Sequence, residues 1–311
     1  MAIITTNDHH YRTIANAIRE KAGTNRMYKP EEMPLGVAHA YVAGVAEGYN
    51  TGFSDGILVG ENSSSGSSQE AYNRGFADGE LSGNQWWVDL IKDKTDLKGF
   101  FKGGKFETIP DGLDFSNITS MSQTFMGCSK LKRLPYINST NCTNFGYAFS
   151  GVGVINNPME ELSVDMRNAT NIDQSFGTAR IRNLKLIGNL DKVTNTKNVM
   201  GWSNIEEIHA YEDETMAVEI PLDLSSSTST STFANASSIR YFQVVPGSIK
   251  VSQNIGASNL LYDETIQSII DGLADLTGQT AQTLTLHADV GAKLTQAQKD
   301  AVSAKNWTLV Y

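Results

Sequence analysis

The residues best placed for acid–base chemistry are two adjacent pairs, Glu160-Glu161 and Glu206-Glu207. Glycoside hydrolysis needs two carboxylates converging on one bond. Neighbours on a strand point to opposite faces, so neither pair can converge, and both read as solvated rims. The five histidines, at 9, 10, 39, 209 and 287, are dispersed, with no HExxH pair and no adjacent nucleophile. Cys128 and Cys142 lack the paired CxxC or neighbouring His of a zinc site and read as buried thiols filling small gaps. Gly151-Val152-Gly153 is followed by no Lys-Ser/Thr and makes no phosphate loop. These residues predict no catalytic, cofactor-binding or metal-ligating set, and hence no enzyme. Aromatic residues are the other chemical resource, because apolar sugar faces stack on rings. Trp86-Trp87, Trp202, Tyr147 and Tyr241 are the candidates. Trp86-Trp87 reads as a packing plug, and Tyr147, two residues before Phe149, reads as core if that stretch is a strand.

The segment that positions most of these residues is polar without being charged. Between residues 111 and 260, Asn, Ser and Thr fill 47 of 150 positions, so small hydrogen-bonding groups replace charges there. Aligned on aromatics, a repeat emerges: Asn117…Phe125, Asn141…Phe149 and Asn168…Phe176, each Asn eight residues before its Phe. Copies ending at Met200 and Phe233 keep the offset without the leading Asn, and the anchors are 24, 27, 24 and 33 residues apart. Apolar pairs follow the anchors: Leu131 and Leu134, Ile181 and Leu184, Ile205 and Ile208, Ile239 and Phe242, while the second copy keeps only Ile155. A period near 25 with one short strand per turn predicts a solenoid of the leucine-rich class, each unit buried only against its neighbours. The 33-residue step, with Tyr211-Glu212-Asp213-Glu214, predicts a loop insertion.

The flanks read differently. Tyr11, Ile14, Ala15, Ile18 and Ala22 recur at helical spacing, and Lys29-Pro30-Glu31-Glu32 opens a second short helix. Glycines at 44, 48, 52, 56 and 60, then 75, 79 and 83, step by four. Tyr49–Gly56 and Tyr72–Gly79 are six-in-eight identical copies of one unit. Interior glycines melt an isolated helix, so the stripe predicts a close contact that presses on it. Gly48, Gly52, Gly56, Gly75 and Gly79 are the expected oligomer contacts. After residue 262, Ile266, Ile269, Ile270, Leu273 and Leu276 follow helical spacing, Thr283–Leu286 and Trp307–Val310 read as strands, and Thr295 caps a helix. The net charge of −9, with no Lys/Arg run, predicts no nucleic-acid partner. Asp8, His9 and His10 stand where a signal peptide has its apolar core, and no stretch reaches 18 apolar residues, so neither export by the usual route nor membrane insertion is expected.

Leu113–Met121 followed by Phe125–Leu131 resembles the BspA-like leucine-rich repeats of bacterial surface proteins. Tyr11–Lys21, Tyr28–Met33 and the Tyr-Asn-x-Gly-Phe-x-Asp-Gly units are similar to the opening of tail and baseplate-associated proteins from phages of Gram-positive gut bacteria. The resemblance implies an α+β chain. A helical virion-docking region, 1–43, precedes a Gly-rich connector, 44–85, and a junction, 86–110; a BspA-like solenoid, 111–262, and an α/β C-terminal cap, 263–311, follow. It also implies a non-enzymatic virion protein, assembled in the host cytoplasm, that attaches to the host surface through its repeats. The expected partners are other tail or baseplate proteins through 1–43, further copies of the chain (a trimer), and host surface polysaccharide or protein. A purely structural tail, baseplate or head component and a bacterial cell-surface adhesin are the alternatives.

Overall fold

A computed structural model describes residues 84–311. The chain divides after residue 90, and the second unit, 91–311, lies wholly within the described residues. The helical docking region, the Gly-rich connector up to residue 83 and the contacts assigned to Gly48, Gly52, Gly56, Gly75 and Gly79 lie outside them.

Among the described residues the fold is mixed, with few helices and two small sheets. Helix α1 spans Asn84–Ile91. Strands β1 (Met159–Asp165), β2 (Ile181–Ile187), β3 (Glu207–Tyr211) and β4 (Glu219–Ile220) form one sheet in that order. The first three are parallel, and β4 returns antiparallel to β3. A separate sheet joins β5 (Gln253–Asn254), β6 (Gln282–Thr285) and β7 (Trp307–Val310), all parallel. Helices α2 (Asp263–Gly272), α3 (Ala288–Lys293) and α4 (Gln296–Ala304) accompany it. Thr295 and Gln298 make a reciprocal capping box at the start of α4. Lys305 donates to the Ile270 and Asp271 carbonyls at the end of α2, where a cation offsets unpaired acceptors.

This corrects the expected architecture of a leucine-rich-repeat solenoid with an α/β cap. Such a solenoid needs one strand per repeat joined in one continuous sheet. Here the two sheets are separate, and β4 folds back to end the first. The expected strands at Leu131 and Leu134 and at Ile239 and Phe242 shrink to the isolated bridges Thr108–Arg133 and Glu207–Tyr241, and the backbone around the anchors runs through turns. φ is positive at Gly99 and Gly103, Gln123 and Gly127, Tyr147 and Gly151, Gln174 and Thr178, Asn198 and Trp202. Each pair is four residues apart and brackets its anchor. The left-handed steps break an extended strand and alternate the direction of the N–H groups. Thus the Phe125 N–H bonds the Ala148 carbonyl of the next copy, whereas the Thr124 N–H bonds Met121 within its own.

These turn segments, or rungs, stack in register. Thr119, Thr143, Thr170, Thr194 and Thr228 each donate a backbone N–H to the threonine one rung earlier, from Thr228 back to Thr95, at 2.7–3.2 Å. Asp96, Asn144, Asn171 and Asn195 close the next turn by accepting from the N–H two residues on. Inside, the rings of Phe101, Phe125, Phe149 and Phe176 stack at centroid separations of 5.3, 5.7 and 5.5 Å. All four are at most 1% exposed. Each stacked pair adds about 0.5–1.5 kcal/mol to the burial of its rings. The stack ends at Met200, and Phe233 pairs with Phe242 at 4.5 Å. Beside that break, a buried knot of hydroxyls forms, with Thr196 Oγ1 2.7 Å from Ser227 Oγ and 2.6 Å from Thr232 Oγ1.

On the sheet side, Leu162, Leu184 and Ile208 are paired across β1–β3 and buried. Ile155, the expected apolar partner of the second copy, is 71% exposed. The extra residues of the 27-residue step form a turn at Val154–Asn157, and Met159 and Leu162 take the buried places.

Candidate binding faces

The outer face of the first sheet gathers most of the polar residues singled out in the sequence. Register sets Glu161, Asn183 and Glu207 in one row and Ser163, Lys185 and His209 in the next. The paired carboxylates do not converge. Glu160 meets Arg182 at 3.8 Å and accepts from Asn183. Glu161 holds Lys185 at 2.6 Å. Glu206 lies 3.1 Å from Arg240 Nε, an ion pair whose N–H is not aligned on the oxygen. Glu207 reaches His209 Nε2 at 3.3 Å. Glu160 and Glu161, expected on opposite faces, are both exposed at the start of β1.

His209 is the centre that the sequence reading misses. Its Nδ1 lies 3.0 Å from Glu219 Oε1 on β4, and its ring packs 4.9 Å from that of Tyr241. The Tyr241 hydroxyl donates to the same Glu219 oxygen at 3.1 Å. Burial and the Glu219 charge push the Tyr241 hydroxyl up to about 12, and the same two causes raise Tyr211. The available signal was the alternation Glu207-x-His209-x-Tyr211, which a strand places on one face. Arg167 ties the same hairpin down from below, bridging the buried Asp165 at 2.9 Å and Glu214 at 3.0 Å. Burial, followed by the Asp165 charge, pushes the Tyr136 hydroxyl up to about 12.

The second face is the row of turns. Tyr147, expected in the core beside Phe149, has φ of 59° and is half-buried, and its hydroxyl accepts from the Gln174 amide. Trp202 is 57% exposed. Trp87, in contrast, is buried. Cys128 and Cys142 are buried free thiols, each raised to about 12 by burial. His287 caps α3 through its Nδ1, which accepts from the Asp289 N–H.

Among the described residues, no group of three or more His, Cys, Asp or Glu side chains is arranged to hold a metal ion, and no helix is long and apolar enough to cross a membrane. The chain matches no family model, no curated protein and no solved structure.

Proposed function

We propose that this chain is a non-enzymatic virion protein of a phage tail or baseplate that attaches to the host surface. In this reading residues 1–43 dock it to the particle, the segment 44–85 brings copies together, and the stacked rungs meet the host envelope. One observation carries the reading: successive rungs present a Thr followed by an Asn, Asp or Ser at a regular spacing of about 4.8 Å. A regularly repeated polar surface suits a regularly repeated ligand such as a wall polysaccharide, and several copies per particle multiply weak single contacts. The pairing of Glu160, Glu161, Glu206 and Glu207 with separate cationic or amide partners supports a binding role over hydrolysis.

The test is the full-length chain, fluorescently labelled, incubated with host cells before and after their wall polysaccharides are stripped. Saturable binding that vanishes on stripping and competes with phage is expected. A chain that enters particles but binds no host cell at micromolar concentration would assign it a structural role instead.

A further inference from the structure

Trp202 stands where a large side chain is least expected. Its φ is +58°, and the equivalent residue of the three earliest rungs is Gly103, Gly127 or Gly151, also at positive φ. A left-handed conformation is unfavourable for a bulky residue, and such outliers are informative when they are exposed and unneeded for packing. Trp202 is 57% exposed, and no aromatic ring lies against it among the described residues.

Its neighbours in the same column complete the observation. Thr178 precedes it with φ of 55°, and Asn235 follows with φ of 61°. Each lies two residues after its anchor, Phe176, Met200 or Phe233; the Thr178 N–H bonds the carbonyl of Gly201, one residue before Trp202, whereas the Trp202 N–H bonds that of Asn235 itself, so the pairing slips by one residue at the last step. All three have a positive φ and sit on successive rungs, which lie about 4.8 Å apart. All three are exposed. The Thr178 hydroxyl donates to its own Gly177 carbonyl at 2.7 Å and so keeps its lone pairs for an incoming donor. The Asn235 amide has no hydrogen-bond partner among the described residues. Beyond Thr178 the column falls to glycine. A Cβ placed on Gly151 would sit 3.6 Å from Thr178 Oγ1 and 3.7 Å from the Gly127 Cα, so the shelf is continuous with the row.

We propose that Thr178, Trp202 and Asn235 bind a neutral sugar of a surface polysaccharide, the pyranose face on the indole and its hydroxyls between the threonine and the amide, with the glycan chain continuing over the Gly151–Gly127 shelf. An exposed ring flanked by a hydroxyl and an amide is the combination that reads a sugar, apolar on one face and rich in hydroxyls at its edge. The row itself carries no charge, and a chain of net charge −9 repels polyanions, which selects a neutral saccharide. The inference rests on the attachment reading only for the source of the glycan.

Trp202→Gly is the decisive variant, because glycine already fills this place in three rungs and relieves the left-handed strain. Full-length wild type and Trp202→Gly are applied to an array of neutral and acidic bacterial envelope oligosaccharides and to host cells. Wild type is expected to bind neutral glycans, with binding weakened about tenfold or more in Trp202→Gly and several-fold in Thr178→Ala and Asn235→Ala. Equal glycan binding by wild type and Trp202→Gly, or no neutral glycan bound by wild type, overturns the site. Host-cell attachment that survives Trp202→Gly overturns the site and leaves the attachment reading standing. Glycan binding lost with Trp202, from a chain that neither enters particles nor competes with phage, overturns the attachment reading and leaves the site.

Discussion

His209 and Glu219 meet across the antiparallel pair of β3 and β4, with Nδ1 3.0 Å from Oε1. The contact fastens a short hairpin whose strands pair Ala210 with Ile220 and Tyr211 with Glu219. Both side chains are part-exposed, so the contact itself is worth about 0–1 kcal/mol. His209→Ala should therefore leave global unfolding within about 1 kcal/mol of wild type while loosening the hairpin locally. The readout is amide exchange: the Glu212 N–H, bonded to the Val218 carbonyl, should exchange several-fold faster. Unchanged protection at Glu212 would show that the hairpin holds without the histidine.

Phe149 lies between two stacked rings, 5.7 Å from Phe125 and 5.5 Å from Phe176, and is fully buried. Truncation removes contacts on both sides and leaves a cavity that stacked rungs cannot easily collapse. Phe149→Ala should cost about 3–5 kcal/mol in denaturant unfolding. Phe149→Leu, which keeps part of the volume, should cost clearly less. Equal losses for the two would mean that the ring stack adds nothing to simple burial.

The rungs were legible because a buried ring must recur wherever the backbone repeats, and the offset from Asn to Phe keeps that period. Phe101 escaped the reading since Asp93 stands where the other copies lead with Asn. Thr95, six residues before it, carried the signal, matching Thr119, Thr143, Thr170 and Thr194 before their anchors. The turns were not legible, because Gln123, Tyr147, Gln174, Thr178, Asn198 and Trp202 hold positive φ without being glycine. Side-chain type alone gives no reason to place them there. The stack imposes the conformation by pairing their own N–H groups with carbonyls of the next rung, which no local propensity records. Placing Tyr147 in the core followed from that gap.

Two threonines separate the roles of the hydroxyl ladder. Thr124 is fully buried, and its hydroxyl lies within hydrogen-bond distance of the carbonyls of Leu97 at 2.9 Å and Met121 at 2.7 Å. Thr170 is exposed, and its hydroxyl only duplicates its own backbone bond to the Thr143 carbonyl. Thr124→Val should destabilise by about 1–3 kcal/mol, since it leaves buried acceptors short of a donor. Thr170→Val should stay within about 0.5 kcal/mol, as expected at an exposed site. A reversed order in thermal unfolding would contradict the ladder as described.

Cys128 and Cys142 are buried, and burial pushes both thiols up to about 12 from an ordinary value of 9.0. Cys128 also donates to the Phe101 carbonyl at 3.0 Å. At pH 8 the thiolate fraction falls by about a thousandfold relative to an ordinary cysteine. Native protein should therefore resist iodoacetamide over hours, and denatured protein should take up two labels. Rapid labelling of either cysteine in the native state would contradict its burial.

Tyr241 supplies the pH dependence. Burial first, and Glu219 second, raise its hydroxyl in the folded state to about 12, above the ordinary value of 10.0. An acid whose folded pKa is raised stabilises the fold fully below its unfolded value. That contribution is lost as pH climbs from 10 through about 12, because the unfolded chain ionises first. Tyr241→Phe cannot ionise, so its stability should fall less steeply than wild type across that interval. In an absorbance titration at alkaline pH, the variant should also lack one of the late tyrosine transitions, while Tyr136, itself raised to about 12, and Tyr211, also raised, still titrate late. Identical alkaline slopes for wild type and variant would show that Tyr241 ionises as freely as in the unfolded chain, and that its hydroxyl is not held against Glu219.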